Sequence, residues 1–537
     1  MHIVASILVN TFLDFFSLAA LMPVLYFLMD GMGNRRAALL FCALAIAVMV
    51  LKCIVSTALI KYRNRFLLQL YRRISSTLYN SYFNKGLLFI REHGSNRLTY
   101  EVNVYSFGFS QSILAPMAAI MGDGLLVLMI LGILLWYSPV TALVLLISFI
   151  PFVVVYLKVI RKKVKDLGKE EQLVKREQYK LVGETYQGYS ELMVNNAFST
   201  FNTNFKEGID KITDYRMRMI SVMRFPLLLS ELAVVVGITL MILFTEGDIK
   251  ITLGIFGIAA FRMLPAVRSI LAGWTQINNS LHILDTLEEG IQEEEIVNEG
   301  EEAPAEEPIR FEHEVKIEDL SYTYPKGEQV FDHFNAEIRK GEQIGFSGYS
   351  GVGKSTLFNL LLGFITPDEG RILIDGKPLC RANRAAWLKK IGYVSQEIFL
   401  FNGSLADNIT VGCPEKEIDR ERIMKILSDV SMLDWVETLP EGIDSEMGER
   451  GCKLSGGQRQ RIGIARALYK EIEVLFLDEA TSSLDDETES EIMETLYRLK
   501  EIYPSLTILS IAHRKSSLAK CDRIINIKNH GKQNHHE

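Results

Sequence analysis

Cysteine is scarce and unpatterned in this sequence. The six residues, Cys42, Cys53, Cys380, Cys413, Cys452 and Cys521, include no two at metal-ligand spacing, so neither a disulfide framework nor a cysteine metal site is expected. Proline is also sparse. The chain holds 14, with none in 61–112 or 161–218, which excludes loose, broken loops in those two segments. A strong excess of one charge is missing as well: 58 basic residues face 65 acidic ones, for a net charge of −7. The acids crowd into 288–307 while the cations cluster between apolar runs, so no nucleic-acid partner is expected. The amino terminus has neither a basic start nor a small-residue cleavage site, so its apolar run reads as a retained helix.

What the chain does contain divides into two unlike halves. Up to about residue 287 it is dominated by apolar runs. A membrane-crossing helix needs about 20 mostly apolar residues, and the stretches 3–29, 37–60, 113–136, 139–160, 219–244 and 252–274 meet or approach that length. Loop cations set their orientation. Lys61, Arg63, Arg65, Arg72, Arg73, Lys85, Arg91 and Arg97 place 61–112 in the cytoplasm, and Arg161, Lys162 and Lys163 do the same for 161–218. Both long connections have helical composition, with short crossing helices expected near 88–100 and 183–197. Asp14, Lys52, Asp123, Glu231, Arg262 and Arg268 fall inside the spans. Charge at that depth faces a polar cavity or an opposite charge.

The run 288–308, mostly Glu and small residues with two prolines, reads as an extended acidic linker. Short β-like runs then alternate with helical ones, as in an α/β domain with a parallel sheet. Gly348, Tyr349, Ser350, Gly351, Val352, Gly353, Lys354, Ser355 and Thr356 stand between a strand-like and a helical segment. That is the context of a P-loop, whose backbone N–H groups cradle phosphate at a helix start. Lys354 would reach the β- and γ-phosphates and Ser355 would hold Mg²⁺. The apolar strand 474–477 ends in Asp478 and Glu479, which suit a magnesium-site carboxylate and the general base for the attacking water. Leu454, Ser455, Gly456, Gly457 and Gln458 open a further helix and offer a second anion-binding terminus, or simply a capped helix.

In this order the motifs resemble the ABC ATPase family across the whole soluble half. The resemblance implies ATP and Mg²⁺ as cofactors, and it makes 348–356 the Walker A loop, 454–458 the signature and Asp478–Glu479 the end of Walker B. Ser482, Leu484 and Asp485 match the D-loop, Gln396 the Q-loop residue near the metal, His513 the switch histidine, and Tyr324 the aromatic that stacks on adenine. It further implies head-to-tail pairing of two such domains, here as a homodimer with two working sites. The segment 446–451 is similar to an exporter-specific loop.

The expected fold is thus multidomain: an all-α six-helix transmembrane exporter domain (1–287), the linker (288–308), an α/β P-loop ABC domain (309–529) and a polar tail (530–537). The membrane half resembles the bacterial lipid-linked oligosaccharide flippases of N-glycosylation, through Phe12–Leu18 with Met22-Pro23 and through Phe261–Pro265 with Arg268. It departs from them at 30–36, which is too short for their external helix. This implies a multi-pass protein of the bacterial inner membrane. Its cargo would be a lipid-linked or amphipathic substrate with a phosphate or pyrophosphate head, met by Arg262 and Arg268. A neutral cargo would leave such an arginine unpaired. The competing readings are export of a peptide or amphipathic small molecule, an ATP-gated channel, and a soluble ABC ATPase, which has no use for six spans.

Overall fold

In the computed structural model, the described residues are 2–20, 35–156, 158, 161–244, 249–298, 308–325, 327, 329–448, 451–452, 454–479, 486–512, 518–519 and 521–527. The chain divides into two compact units, Met1–Glu299 and Gly300–Glu537.

The first unit is helical: His2–Ala19, Arg35–Asn84, Gly86–His93, Ser95–Tyr100, Ala115–Tyr137, Pro139–Val155, Arg161–Gln187, Tyr189–Val194, Phe198–Phe244 and Ile249–Asn298. Between Tyr100 and Ala115 the backbone stays helical through two π-type stretches, Glu101–Tyr105 and Phe109–Leu114. Among the described residues, Leu39–Asn84, Ser95–Tyr137 and Thr252–Gly290 are long and apolar enough to cross a membrane, and Ile3–Ser17, Pro139–Val155 and Glu231–Phe244 are shorter apolar helices. Each overlaps one of the six apolar stretches of the sequence, and the three long ones run well beyond it. Apolar side chains gain little by leaving lipid for a helix interface, so close approach at small residues carries the packing. Ala142, Ala233, Ala259, Ala260 and Ala266 are accordingly buried, and a Cβ on Gly237 would lie 2.3 Å from Phe256 Cζ.

Short helices occur in both expected segments, at Gly86–His93 with Ser95–Tyr100 and at Tyr189–Val194. The second is shorter than its expected range, because Arg161–Gln187 holds its helical register until Gly188. The extended linker needs correcting. The last helix continues to Asn298, because glutamate is a good helix former and the prolines come only at 304 and 308. Residues 299–307 lie outside the described residues.

The second unit holds the strands β1 (Glu314–Thr323), β2 (Gln329–Arg339), β3 (Gln343–Ser347), β4 (Glu369–Ile374), β5 (Lys377–Pro378), β6 (Ile391–Val394), β7 (Val474–Asp478), β8 (Thr507–Ile511) and β9 (Arg523–Asn526). A parallel sheet of order β6-β7-β8-β3-β9 forms its centre, with a separate antiparallel sheet of order β2-β1-β4-β5. The sequence pattern did not signal the antiparallel sheet. β7 is buried along its whole length, as its unbroken apolar run requires. β8 lies between β3 and β7, so the loops leaving β3 and β7 open at the same carboxyl edge, where open α/β sheets bind ligands.

Candidate functional site

The P-loop leaves β3 and enters the helix Lys354–Leu361. Gly351 and Gly353 adopt φ values of +79° and +106°, in the left-handed region that glycine enters without steric cost. A Cβ on Gly353 would sit 2.2 Å from Val330 Cγ1. Lys354 is buried, and its Nζ donates to the carbonyls of Gly348 at 3.0 Å and Tyr349 at 3.1 Å. Burial pulls its pKa down, against the opposing pull of Glu479 and Asp478. Tyr349 itself is 90% exposed at the tip of the loop.

Hydrogen bonds tie the start of this helix, and the segment after β6, to the end of β7. Ser355 Oγ donates to Asp478 Oδ1 at 3.3 Å, and Gln396 Nε2 donates to Glu479 Oε2 at 3.0 Å. Glu479 has φ +50°, which a residue with a Cβ adopts only at some conformational cost, and its N–H donates to the Ile511 carbonyl at the end of β8. Tyr324 reaches the same loop through a 3.0 Å bond between its hydroxyl and Thr356 Oγ1. The sequence reading missed Tyr393, whose hydroxyl donates to Asp478 Oδ2 at 3.2 Å. Its position before Gln396 was visible, but only the register of β6 against β7 sets it beside the carboxylate.

Ser455 and Gln458 cap a separate helix, Gly456–Leu468, each side chain bonding the other's backbone N–H in a capping box. Gly457 lets Thr488 close on this helix, since a Cβ there would lie 2.6 Å from Thr488 Cγ2. Ser482, Leu484, Asp485 and His513 lie outside the described residues, as do 449–450 of the loop similar to that of exporters.

In the membrane unit, Asp14 Oδ1 receives Lys52 Nζ at 2.6 Å and Arg262 Nη2 at 2.8 Å. One carboxylate thus joins three helices. Arg268 pairs with Glu231 at 3.2 Å. Arg262 and Arg268 therefore have different carboxylate partners, and the expectation that a neutral cargo would leave Arg262 unpaired is overturned by Asp14. Beside this cluster is a polar cavity of about 190 Å³, lined by Asn10, Asp14, Arg63 and Asp123 among others. Asn10 Oδ1 and Arg63 Nε are buried there without a hydrogen-bond partner.

Residues 331–482 match the family model described as ABC transporter. The chain is 31% identical over 476 residues to an ATP-dependent lipid A-core flippase of Burkholderia orbicola, covering 86% of this chain and 77% of that protein. The chain belongs to the ABC transporter family. This ABC transporter is also 31% identical to a protein of the same name from Pseudomonas fluorescens, covering 84% of this chain and 73% of that one. Its fold is that of a bacterial Atm1-family ABC exporter solved with ATP bound, with TM-score 0.81 and 21% identity over 98% of this chain and 93% of that one. It is an exporter half-transporter, a membrane domain fused to an ATP-hydrolysing ABC domain, and it resides in the bacterial inner membrane with the ABC domain in the cytoplasm.

Proposed function

We propose that this transporter works as a homodimeric flippase whose cargo is an amphipathic lipid with an anionic head, including glycolipids of the lipid-linked oligosaccharide type. The relatives' name points to a lipid cargo. The observation that carries the anionic head is the pairing of Lys52 and Arg262 with Asp14 beside a cavity lined by Arg63 and Asp123, three cations against two carboxylates. An excess positive charge in the membrane is costly, and a phosphate head would offset it. The adjoining cavity is lined by residues between 6 and 14, 59 and 63, and 118 and 123, span ends that the loop cations assign to the cytoplasmic side. That is the level at which a lipid of the inner leaflet presents its head.

In the nucleotide site Lys354 binds phosphate, Glu479 is the general base, Gln396 and His513 orient the attacking water and the phosphate, and Tyr324 stacks on the adenine. The signature 454–458 and the D-loop serve the partner subunit's ATP. Ser355 Oγ and the Asp478 carboxylate are hard oxygen donors 3.3 Å apart and fit Mg²⁺, with Gln396 as a further ligand candidate. Mg²⁺ supplies charge neutralisation on the phosphates when bound.

A second reading, export of a neutral peptide or small amphipath, draws support from the acidic partners that both arginines already have. The two readings separate in proteoliposomes holding a lipid pyrophosphate. Arg262→Ala or Arg268→Ala should slow ATP-dependent flipping by about tenfold, the worth of one charge-assisted contact, while hydrolysis continues. Normal flipping by both variants would remove the anionic-head reading.

A further inference from the structure

The edge strand β6 pairs in parallel with β7, with Tyr393 opposite Phe476 and Val394 opposite Leu477. This register brings the Tyr393 hydroxyl to Asp478 Oδ2 at 3.2 Å, while Gln396, three residues on, reaches Glu479 Oε2 at 3.0 Å. The stretch 393–396 therefore grips both acids at the carboxyl end of β7. On the opposite side, Ser355 Oγ donates to Asp478 Oδ1 at 3.3 Å.

The geometry points to Tyr393 as a positioning residue that fixes the rotation of the Asp478 carboxylate and so presents Oδ1 to a divalent cation shared with Ser355. The inference rests on Asp478 being the metal-site residue. An aspartate's χ2 torsion is broad, and a hydroxyl donor on each oxygen narrows it. Residues behind a metal ligand commonly control both its orientation and the metal's affinity. The ring could instead serve only to pack on β6, a role that phenylalanine would fill.

The test uses the full-length protein in detergent or nanodiscs with Tyr393→Phe and, as a reference, Asp478→Ala. Three quantities are read: nucleotide affinity in EDTA, Mn²⁺ affinity by electron paramagnetic resonance with a non-hydrolysable ATP analogue, and the Mg²⁺ concentration for half-maximal hydrolysis. Tyr393→Phe should weaken Mn²⁺ binding and raise the half-saturating Mg²⁺ by about 3- to 10-fold. Nucleotide affinity in EDTA should stay within about twofold, and excess Mg²⁺ should restore most of the rate. Parent-like Mn²⁺ affinity in Tyr393→Phe would overturn the proposal, and so would an equal loss of nucleotide affinity in EDTA, which marks a packing role. Parent-like Mn²⁺ binding by Asp478→Ala would instead remove the assignment of Asp478 on which the proposal rests.

Discussion

The nucleotide site and the intramembrane cluster handle charge in opposite ways. In the nucleotide site each ionisable group is held by neutral hydrogen-bonding partners: Lys354 by the loop carbonyls, Asp478 by the hydroxyls of Ser355 and Tyr393, and Glu479 by the Gln396 amide. In the membrane unit the groups come from distant helices and hold one another, with Asp14 between Lys52 and Arg262 and Glu231 against Arg268. A reaction on the same substrate in every cycle suits groups fixed by neutral hydrogen bonds within one folded domain. A cargo path that must open and close suits charges whose partners lie on separate helices, because helix motion changes the pairing.

The largest expected effect separates hydrolysis from the rest of the molecule. Glu479→Gln should lower ATP turnover by about 10²- to 10⁴-fold, the range for losing a general base, with ATP binding retained and a closed dimer trapped. Near-normal turnover in purified Glu479→Gln protein would sink that assignment. Gly353→Ala strikes the backbone frame instead. With φ at +106° and Val330 2.2 Å from the new methyl, roughly 1–3 kcal/mol of strain should weaken ATP binding by about ten- to a hundredfold, measured by nucleotide titration.

Asp14→Asn tests the membrane side of the contrast. It leaves Lys52 and Arg262 without their shared carboxylate, and their partial exposure limits the loss to about 1–3 kcal/mol, read as a lower melting temperature in detergent. Basal hydrolysis should stay within about twofold. A collapse of hydrolysis as severe as that of Glu479→Gln would show that the two charge systems are not separable.

The smallest effect is electrostatic and lies in the soluble unit. Burial works to raise the pKa of Asp375, but backbone N–H bonds from Glu312, Glu314 and His313 outweigh it and hold the carboxyl below its ordinary 3.8. A depressed carboxylate stabilises the fold fully above the unfolded value and loses that contribution as pH falls through the folded one. Asp375→Asn should therefore cost about 1 kcal/mol at neutral pH. In acid, below about pH 4, the two proteins should converge in thermal stability. A constant gap across pH would contradict this.

The glycine loop of the candidate nucleotide site was legible in the sequence because its parts are contiguous: the glycines at 351 and 353 stand beside Lys354 and Ser355 in one stretch. Six apolar stretches revealed the membrane unit for the same reason, since span length is a local property. Tyr393 was missed because its partnership with Asp478 depends on strand register across 85 residues. The acids partnering Arg262 and Arg268 were named as intramembrane charges, but their pairing depends on helix packing, which hydropathy does not encode. The acidic segment 288–298 was misread because its charge suggested an extended tether, whereas glutamates that follow an established helix extend it.

Paired recording of ATP hydrolysis and transbilayer movement in one proteoliposome preparation bears most directly on whether hydrolysis here drives an anionic lipid. The parent protein should move a phosphate-headed lipid from the leaflet facing its ABC domains to the opposite one, at a rate that rises with ATP consumption, and Glu479→Gln should abolish both. Sustained hydrolysis with no movement of the phosphate-headed lipid, in vesicles where a neutral amphipath is transported, would contradict it.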